Sequence, residues 1–215
     1  MTARTKKMTI LAMLSALAYI IMVVGRIPVI MFLKYDPKDV IITIGGFLFG
    51  PLSAFAMSAV VSLVEMVTVS DTGWIGLVMN IISSCAFACT ASFIYSRKRK
   101  LSTAVIGLVA GWLLTTAVML LWNYFITPLY MGWPRADVAA LLIPAFLPFN
   151  LLKGGLNAAI TMLLYKPVRL ALAKSTLMPV SENRTGGKIN VGTILVSCFI
   201  IVSGALLILV FQGII

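Results

Sequence analysis

The stretch FNLLKGGLNAAIT, residues 149–161, lies inside an apolar run yet carries a lysine and two asparagines. Positions spaced i, i+3, i+4 and i+7 share one face of a helix, and here they are Asn150, Lys153, Gly154 and Asn157. A lysine deep in a membrane helix costs about 2.5–3.5 kcal/mol unless it faces water or polar groups. The stretch therefore predicts a membrane helix whose polar face lines an internal cavity.

The composition of the whole chain favours a membrane protein. Of its 215 residues, 61% are hydrophobic and 11% are charged. Apolar runs long enough to cross a bilayer recur along the sequence, and they leave no room for a soluble domain. We predict an all-α polytopic membrane protein with spans at residues 8–27, 38–50, 52–69, 75–95, 102–126, 144–166 and 190–212.

The distribution of cations predicts the orientation of the chain. Twelve of the seventeen Lys and Arg residues fall on one side of these spans, four fall on the other, and Lys153 lies within a span. Cytoplasmic loops of membrane proteins carry the excess of Lys and Arg, so the amino terminus is predicted to be cytoplasmic and the protein to reside in the cell membrane. The net charge of +11 then reflects topology, and we expect no nucleic-acid partner.

The connection FLKYDPKDVI, residues 32–41, is predicted to lie outside the cell between the first two spans. Asp36 and Pro37 match a helix start, with Asp36 as the N-cap and Pro37 as the first helical residue. Lys34 and Tyr35 have no such role, and they could form a solvated rim or close over a bound ligand. We therefore include Lys34, Tyr35 and Asp36 in the candidate binding site.

Lys153 has two interpretations. Counted from Pro144 at 1.5 Å per residue, it lies about 14 Å into the membrane. It could form a buried ion pair with Glu65 or Asp71 that serves packing only. The interpretation that we favour is a polar cavity open to the outside, because amides flank the lysine on its own helix face.

Two further asparagines, Asn80 and Asn123, are predicted at a similar depth to Asn150 and Asn157. A single asparagine in a membrane helix often bonds a neighbouring helix. Four amides beside one lysine favour a ligand site instead. Amides both donate and accept hydrogen bonds, which suits a neutral heterocycle with carbonyl and ring N–H groups.

No catalytic or nucleotide-binding motif occurs in the sequence. A G-x-x-x-x-G-K-[ST] phosphate loop is missing, so we do not expect this chain itself to hydrolyse ATP. The chain has no histidine, and its three cysteines lack metal-binding spacing, so neither a metal site nor a cofactor is predicted. We predict that the protein is not an enzyme; an intramembrane activity built on Glu65 or Asp71 is the alternative.

Ala12 and Ala16 form an A-x-x-x-A pattern near the inner end of the first span, and small residues at this spacing allow another helix to approach closely.

The chain resembles the riboflavin-specific substrate-binding subunits (S components) of energy-coupling factor (ECF) transporters. The resemblance covers roughly residues 5–170. It is carried by A-x-x-x-A, by KYDPKD at 34–39, by GGFLFGP at 45–51, by Asn80 and by PFNLLKGGLNA at 148–158.

The resemblance implies a six-helix membrane protein that captures riboflavin from outside and docks on an ECF transmembrane coupling subunit with two cytoplasmic ATPase subunits. It implies that Asn150 and Lys153 hydrogen-bond the isoalloxazine ring and that Tyr35 helps to close the pocket. The resemblance also places two less closely matched residues, Asn80 and Asn123, in the pocket. Ala12 and Ala16 correspond to the docking surface.

Three segments are therefore predicted: a six-helix vitamin-binding membrane domain at 1–174, a polar cytoplasmic linker at 175–189, and an additional transmembrane helix at 190–215. The last segment departs from the family, which ends after six helices. Two alternatives stay open: an S component for another vitamin or for FMN or FAD, whose phosphate Lys34 and Lys38 at the mouth would tolerate, and a membrane scaffold protein without transport activity.

Overall fold

Long helices form where the sequence has its apolar runs. The computed structural model describes residues 2–70, 72–174 and 191–214, so the predicted linker and Asp71 lie outside the described residues. Within that part of the chain, six helices are long and apolar enough to cross a membrane. They are Ala3–Val24, Pro51–Thr68, Gly73–Lys98, Leu101–Phe125, Arg135–Ala171 and Ile194–Phe211. The predicted all-α polytopic membrane fold is confirmed.

The elements follow one another with short connections. Helix α1, Ala3–Val24, leads into strands β1, Ile27–Ile30, and β2, Leu33–Tyr35, and then into α2, Lys38–Phe49, and α3, Pro51–Thr68. Helix α4, Gly73–Ser84, continues through a π-helical segment, Cys85–Cys89, into α5, Thr90–Lys98. Next come α6, Leu101–Phe125, and the short α7, Thr127–Met131. Helix α8, Arg135–Leu141, continues through a π-helical segment, Leu142–Phe146, into α9, Leu147–Lys174, and the last helix is α10, Val191–Phe211.

The first connection contains a β-hairpin, which the sequence analysis did not predict. Strands β1 and β2 pair antiparallel, with Ile27 opposite Tyr35 and Pro28 opposite Lys34. A two-stranded hairpin is at best marginally stable alone. Here it is held because Val29 and Tyr35 are buried in one apolar cluster with residues of α9 and α10. The hairpin marks one end of the helix bundle, called the hairpin end below.

Helix α2 occupies the centre of the bundle. Its 12 residues extend about 18 Å at 1.5 Å per residue, well short of the roughly 30 Å of a hydrocarbon core. The predicted span 38–50 therefore forms a helix but is too short to cross a membrane by itself. Eleven of those residues, from Lys38 to Leu48, are buried, and α2 packs against α1, α3 and α9.

Glycines let α2 approach its neighbours closely and then turn into α3. A Cβ atom at Gly46 would lie 2.1 Å from the Oγ of Ser92 in α5, so only glycine fits at this contact of α2 with α5. Gly50 has a φ of +95°, a conformation that glycine adopts without strain, and Pro51 then begins α3. Gly46 thus permits the close packing of α2, and Gly50 with Pro51 forms the sharp turn into α3.

The predicted N-cap of α2 is wrong. The cap position is occupied by Pro37, without a side-chain hydrogen bond to the helix start. Asp36 instead points its carboxylate at Lys153, with Oδ2 3.6 Å from Nζ. A buried carboxylate gains more from an opposite charge than from a capping bond, because an unpaired charge is costly away from water.

Helix α10 confirms the predicted extra helix at the end of the chain. It packs chiefly against α9. Gly204 permits this contact, since a Cβ there would lie 2.7 Å from the Cδ2 of Leu156.

Candidate ligand-binding site

A cavity of about 320 Å³ lies at the hairpin end of the bundle. Its volume falls in the range of small-molecule sites. Six of the eight side chains predicted to bind substrate line it: Lys34, Asp36, Asn80, Asn123, Asn150 and Lys153. The fold therefore brings together polar residues from the hairpin, from the segment directly after it and from three separate helices.

The other two predicted residues, Tyr35 and Asn157, do not line the cavity. The hydroxyl of Tyr35 donates to the Oδ1 of Asn157 at 3.1 Å, and both side chains are buried. Burial raises the pKa of Tyr35 above its usual value, as do the nearby Asp36 and Asp39, so the hydroxyl stays a neutral donor. This contact joins the hairpin to α9 behind the cavity wall.

The amides of the cavity differ in what they offer a ligand. Asn150 donates from Nδ2 to the carbonyl oxygen of Phe146 at 2.7 Å, so its Oδ1 is the group that can accept a hydrogen bond. Asn123 donates to the carbonyl of Met119 at 2.8 Å and accepts from the Thr127 hydroxyl at 3.0 Å. Both side chains thus bond backbone one turn earlier, which fixes their orientation.

Lys153 forms ion pairs, but with other partners than the sequence suggested. Its Nζ lies 3.6 Å from Asp36 Oδ2 and 4.0 Å from Asp39 Oδ2. Burial opposes ionisation of Asp36, but Lys153, Lys38 and Arg26 outweigh it and hold the pKa of that carboxyl below its usual range. Lys153 therefore faces the cavity with its charge compensated by two carboxylates.

Glu65, whose role the sequence left open, completes a buried cluster of charges. It accepts from Arg26 and from the Nζ of Lys38 at 2.5 Å, and its side chain is 4% exposed. Lys38 is 1% exposed, so the expectation that it lies at the mouth beside Lys34 is wrong. Three cations and three carboxylates thus balance one another at the edge of the cavity: Arg26, Lys38, Lys153, Asp36, Asp39 and Glu65.

The apolar lining of the cavity was not predicted from the sequence. Phe32, Met79, Met119 and Phe149 contribute large side chains to its wall. Aromatic and thioether groups suit the faces of a flat ring. Nothing in the sequence separates these residues from ordinary core residues, so only the three-dimensional arrangement identifies them.

A second, mainly apolar groove runs between α1 and α3, and it contains both alanines of the A-x-x-x-A pattern. Ala12 and Ala16 are exposed there, and Tyr19, Met57 and Val60 form other parts of the groove. Small side chains leave the backbone of α1 accessible to another helix. The groove is separate from the cavity, with which it shares no lining residue.

The groups that line the cavity can bind a small molecule. Among the described residues, no group of three His, Cys, Asp or Glu side chains could hold a metal ion. The cavity offers an amide acceptor, an ion-paired lysine and apolar walls. These features can hold a flat, polar and uncharged molecule by hydrogen bonds and van der Waals contact.

Comparison with known proteins adds independent information. A family model described as "ECF transporter, substrate-specific component" matches residues 6–165. The chain is 28% identical over 172 residues to the riboflavin transporter RibU of Staphylococcus aureus, covering 76% of this chain and 90% of that protein. It is 28% identical over 182 residues to RibU of Streptococcus thermophilus (79% and 86%), and 26% identical over 164 residues to the riboflavin transporter FmnP of Bacillus subtilis (70% and 85%).

A solved structure shares the fold. It is the S component of a bacterial ECF transporter, and it superposes with a TM-score of 0.66 at 27% identity. The match covers 79% of this chain and 98% of that one.

Proposed function

The chain belongs to the substrate-specific components of ECF transporters, and from this premise we propose that it captures riboflavin as the substrate-binding subunit of an ATP-driven uptake system. Three relatives are riboflavin transporters by name. The observation that carries the proposal is the composition of the cavity wall, where Asn150 and Lys153 stand beside large apolar side chains.

The isoalloxazine ring of riboflavin is flat and carries carbonyl oxygens and a ring N–H at one edge. We infer that Lys153 donates to a ring carbonyl and that the Oδ1 of Asn150 accepts from the N–H. Phe32 and Phe149 would contact the ring faces. A hydrogen bond from the charged Lys153 contributes about 1.5–3 kcal/mol when it replaces water, and a neutral bond to Asn150 contributes about 0.5–1.5 kcal/mol. These two residues would therefore provide much of the specificity.

The electrostatic balance of the site supports an uncharged cargo. Lys153 is paired with Asp36 and Asp39, and Glu65 is paired with Arg26 and Lys38. A ligand without net charge can therefore enter without leaving a buried ion uncompensated. A flavin nucleotide is the second candidate, because Lys34 also lines the cavity and could meet a phosphate.

We propose a cytoplasmic amino terminus, which places the cavity toward the outside of the cell membrane. The predicted vitamin-binding domain at 1–174 would then carry the whole site, with the linker at 175–189 in the cytoplasm and the helix at 190–215 crossing back. Ala12 and Ala16 would dock on the transmembrane coupling subunit, whose two ATPase subunits would provide the energy. The protein would act in transport and not as an enzyme.

Uptake of radiolabelled riboflavin tests this proposal. The host would contain ECF coupling and ATPase subunits but no riboflavin-capture component of its own. Expression of the chain should produce ATP-dependent riboflavin accumulation, and unlabelled riboflavin should compete better than FMN. Accumulation by the purified chain alone in vesicles would contradict the need for partners, and absence of uptake with partners present would contradict the cargo.

A further inference from the structure

Helix α10 lies beyond residues 6–165, the part of the chain that the family model matches, yet it reaches the hairpin that borders the cavity. Gln212, directly after α10, donates from its side-chain Nε2 to the carbonyl oxygen of Pro28 in β1 at 2.6 Å. Strand β1 pairs with β2, and residues of β2 line the cavity. Two successive connections therefore link the end of α10 to the cavity wall: Gln212 bonds to β1, and β1 pairs with β2.

An apolar contact reinforces this connection. Ile208 is 8% exposed and belongs to one cluster with Val29 and Tyr35 of the hairpin and with Phe149 and Leu156 of α9. The cluster joins both strands to both helices. Since two strands alone are marginally stable, the hairpin depends on such contacts to keep its position.

Helix α10 packs closely against α9 at Gly204. A Cβ at Gly204 would lie 2.7 Å from Leu156 Cδ2 and 3.2 Å from Leu152 Cδ1. The helix that receives α10 is also the one that carries Asn150 and Lys153. Helix α10 therefore packs against both α9 and the hairpin.

We propose that α10 anchors the hairpin from behind and thereby sets how fast a ligand enters and leaves the cavity. Gln212 and Ile208 are positioning residues in this account, because neither lines the cavity. The hairpin has other contacts at its tip, where the ring of Phe32 lies 6.0 Å from those of Trp133 and Phe146. Helix α10 holds the β1 side, which those contacts do not reach.

Hydrogen–deuterium exchange of the full chain without ligand tests the anchor directly. The variants are Gln212→Leu and Ile208→Ala, with Val210→Ala as the control, because Val210 on the same helix is 53% exposed. In Gln212→Leu, loss of one hydrogen bond should speed exchange in peptides covering 27–35 by about threefold to tenfold, while α3 exchanges as before. Ile208→Ala removes an apolar contact with the hairpin and should also speed exchange in these peptides. Gln212→Glu, which keeps the shape but removes the donor, should act like Gln212→Leu and serves if that variant folds poorly.

The effect on ligand kinetics rests on the proposed function, and riboflavin is the probe. Gln212→Leu should release riboflavin about threefold to tenfold faster than the Val210→Ala control, by the same loss of one hydrogen bond. Hairpin exchange equal to that of the control in all three variants would overturn the anchor, whether or not riboflavin binds. Faster hairpin exchange in a protein that never binds riboflavin would support the anchor and contradict the cargo alone. Faster exchange with unchanged riboflavin release would overturn the kinetic role.

Discussion

The Nζ of Lys153 lies 3.6 Å from the Oδ2 of Asp36, so a lysine within a membrane helix is paired with a carboxylate from the connection that precedes another helix. The pair joins α9 to the segment between the hairpin and α2. It lets Lys153 face the cavity as a donor while its charge is compensated. The same pair explains why the cavity suits a polar but uncharged ligand.

Replacing Asn150 with leucine should weaken riboflavin binding by about 1–3 kcal/mol, because a polar group of the ligand would be left without a partner. The neighbouring ion pairs are untouched by this change, and one hydrogen bond to the carbonyl of Phe146 is lost with the amide. Affinity is measured by titration of the purified protein. Leu164→Ala on the same helix, where the side chain is 38% exposed, should bind normally, and an Asn150→Leu variant that matches it would remove Asn150 from the site.

Replacing Lys153 with methionine should affect both binding and stability. The change leaves Asp36 and Asp39 without their nearest cation, and breaking a buried pair in this way costs about 3–5 kcal/mol. Adding Asp36→Asn to Lys153→Met should recover much of the thermal stability but not the affinity for riboflavin. Recovery of both would show that Lys153 serves the fold only.

Neighbouring glycines of α9 should differ sharply when each is changed to alanine. A Cβ at Gly154 would lie 2.1 Å from the Cδ1 of Trp112, whereas one at Gly155 would lie 3.4 Å from the same ring. Gly154→Ala should therefore destabilise the protein by about 1–3 kcal/mol through overpacking, and Gly155→Ala should change little. Thermal unfolding in detergent measures both; equal melting temperatures would contradict the tight contact of α6 with α9.

The sequence predicted the polar residues of the site better than their partners. That Asn150 and Lys153 line a cavity was predictable, because a polar face on an apolar membrane helix is costly unless it faces polar groups or water. The partner of Lys153 could not be chosen, since one-dimensional spacing does not say which of several carboxylates approaches it. Asp36 was assigned to a helix cap for the same reason: capping is local and visible in sequence, while the ion pair crosses more than a hundred residues.

The helices of the fold were predictable from the sequence, but the hairpin was not. Helix positions followed from the lengths of the apolar runs, and the seventh segment was found in the same way. The hairpin was missed because its strands, Ile27–Ile30 and Leu33–Tyr35, are shorter than most strands and depend on tertiary contacts. The buried pairing of Glu65 with Arg26 and Lys38 was missed too, although equal numbers of opposite charges near one end of the bundle were a usable signal.

Enlarging the alanines of the α1 groove should separate binding from transport. Ala12→Trp with Ala16→Trp would hold a partner helix away, because close packing needs small residues. Riboflavin affinity in detergent should stay unchanged, since no cavity residue is altered, while uptake with ECF partners should be lost. The control is Met13→Trp with Leu17→Trp, at the same spacing on exposed positions outside the groove; normal uptake by the alanine variant would contradict the docking role.

The most direct measurement is a titration of riboflavin with the purified full chain, in which the quenching of flavin fluorescence reports binding. We expect saturable one-to-one quenching by the folded protein and weaker binding by the Asn150→Leu variant. Folded protein that leaves the fluorescence of riboflavin unchanged at micromolar concentrations would contradict the assignment of the cavity as a riboflavin site.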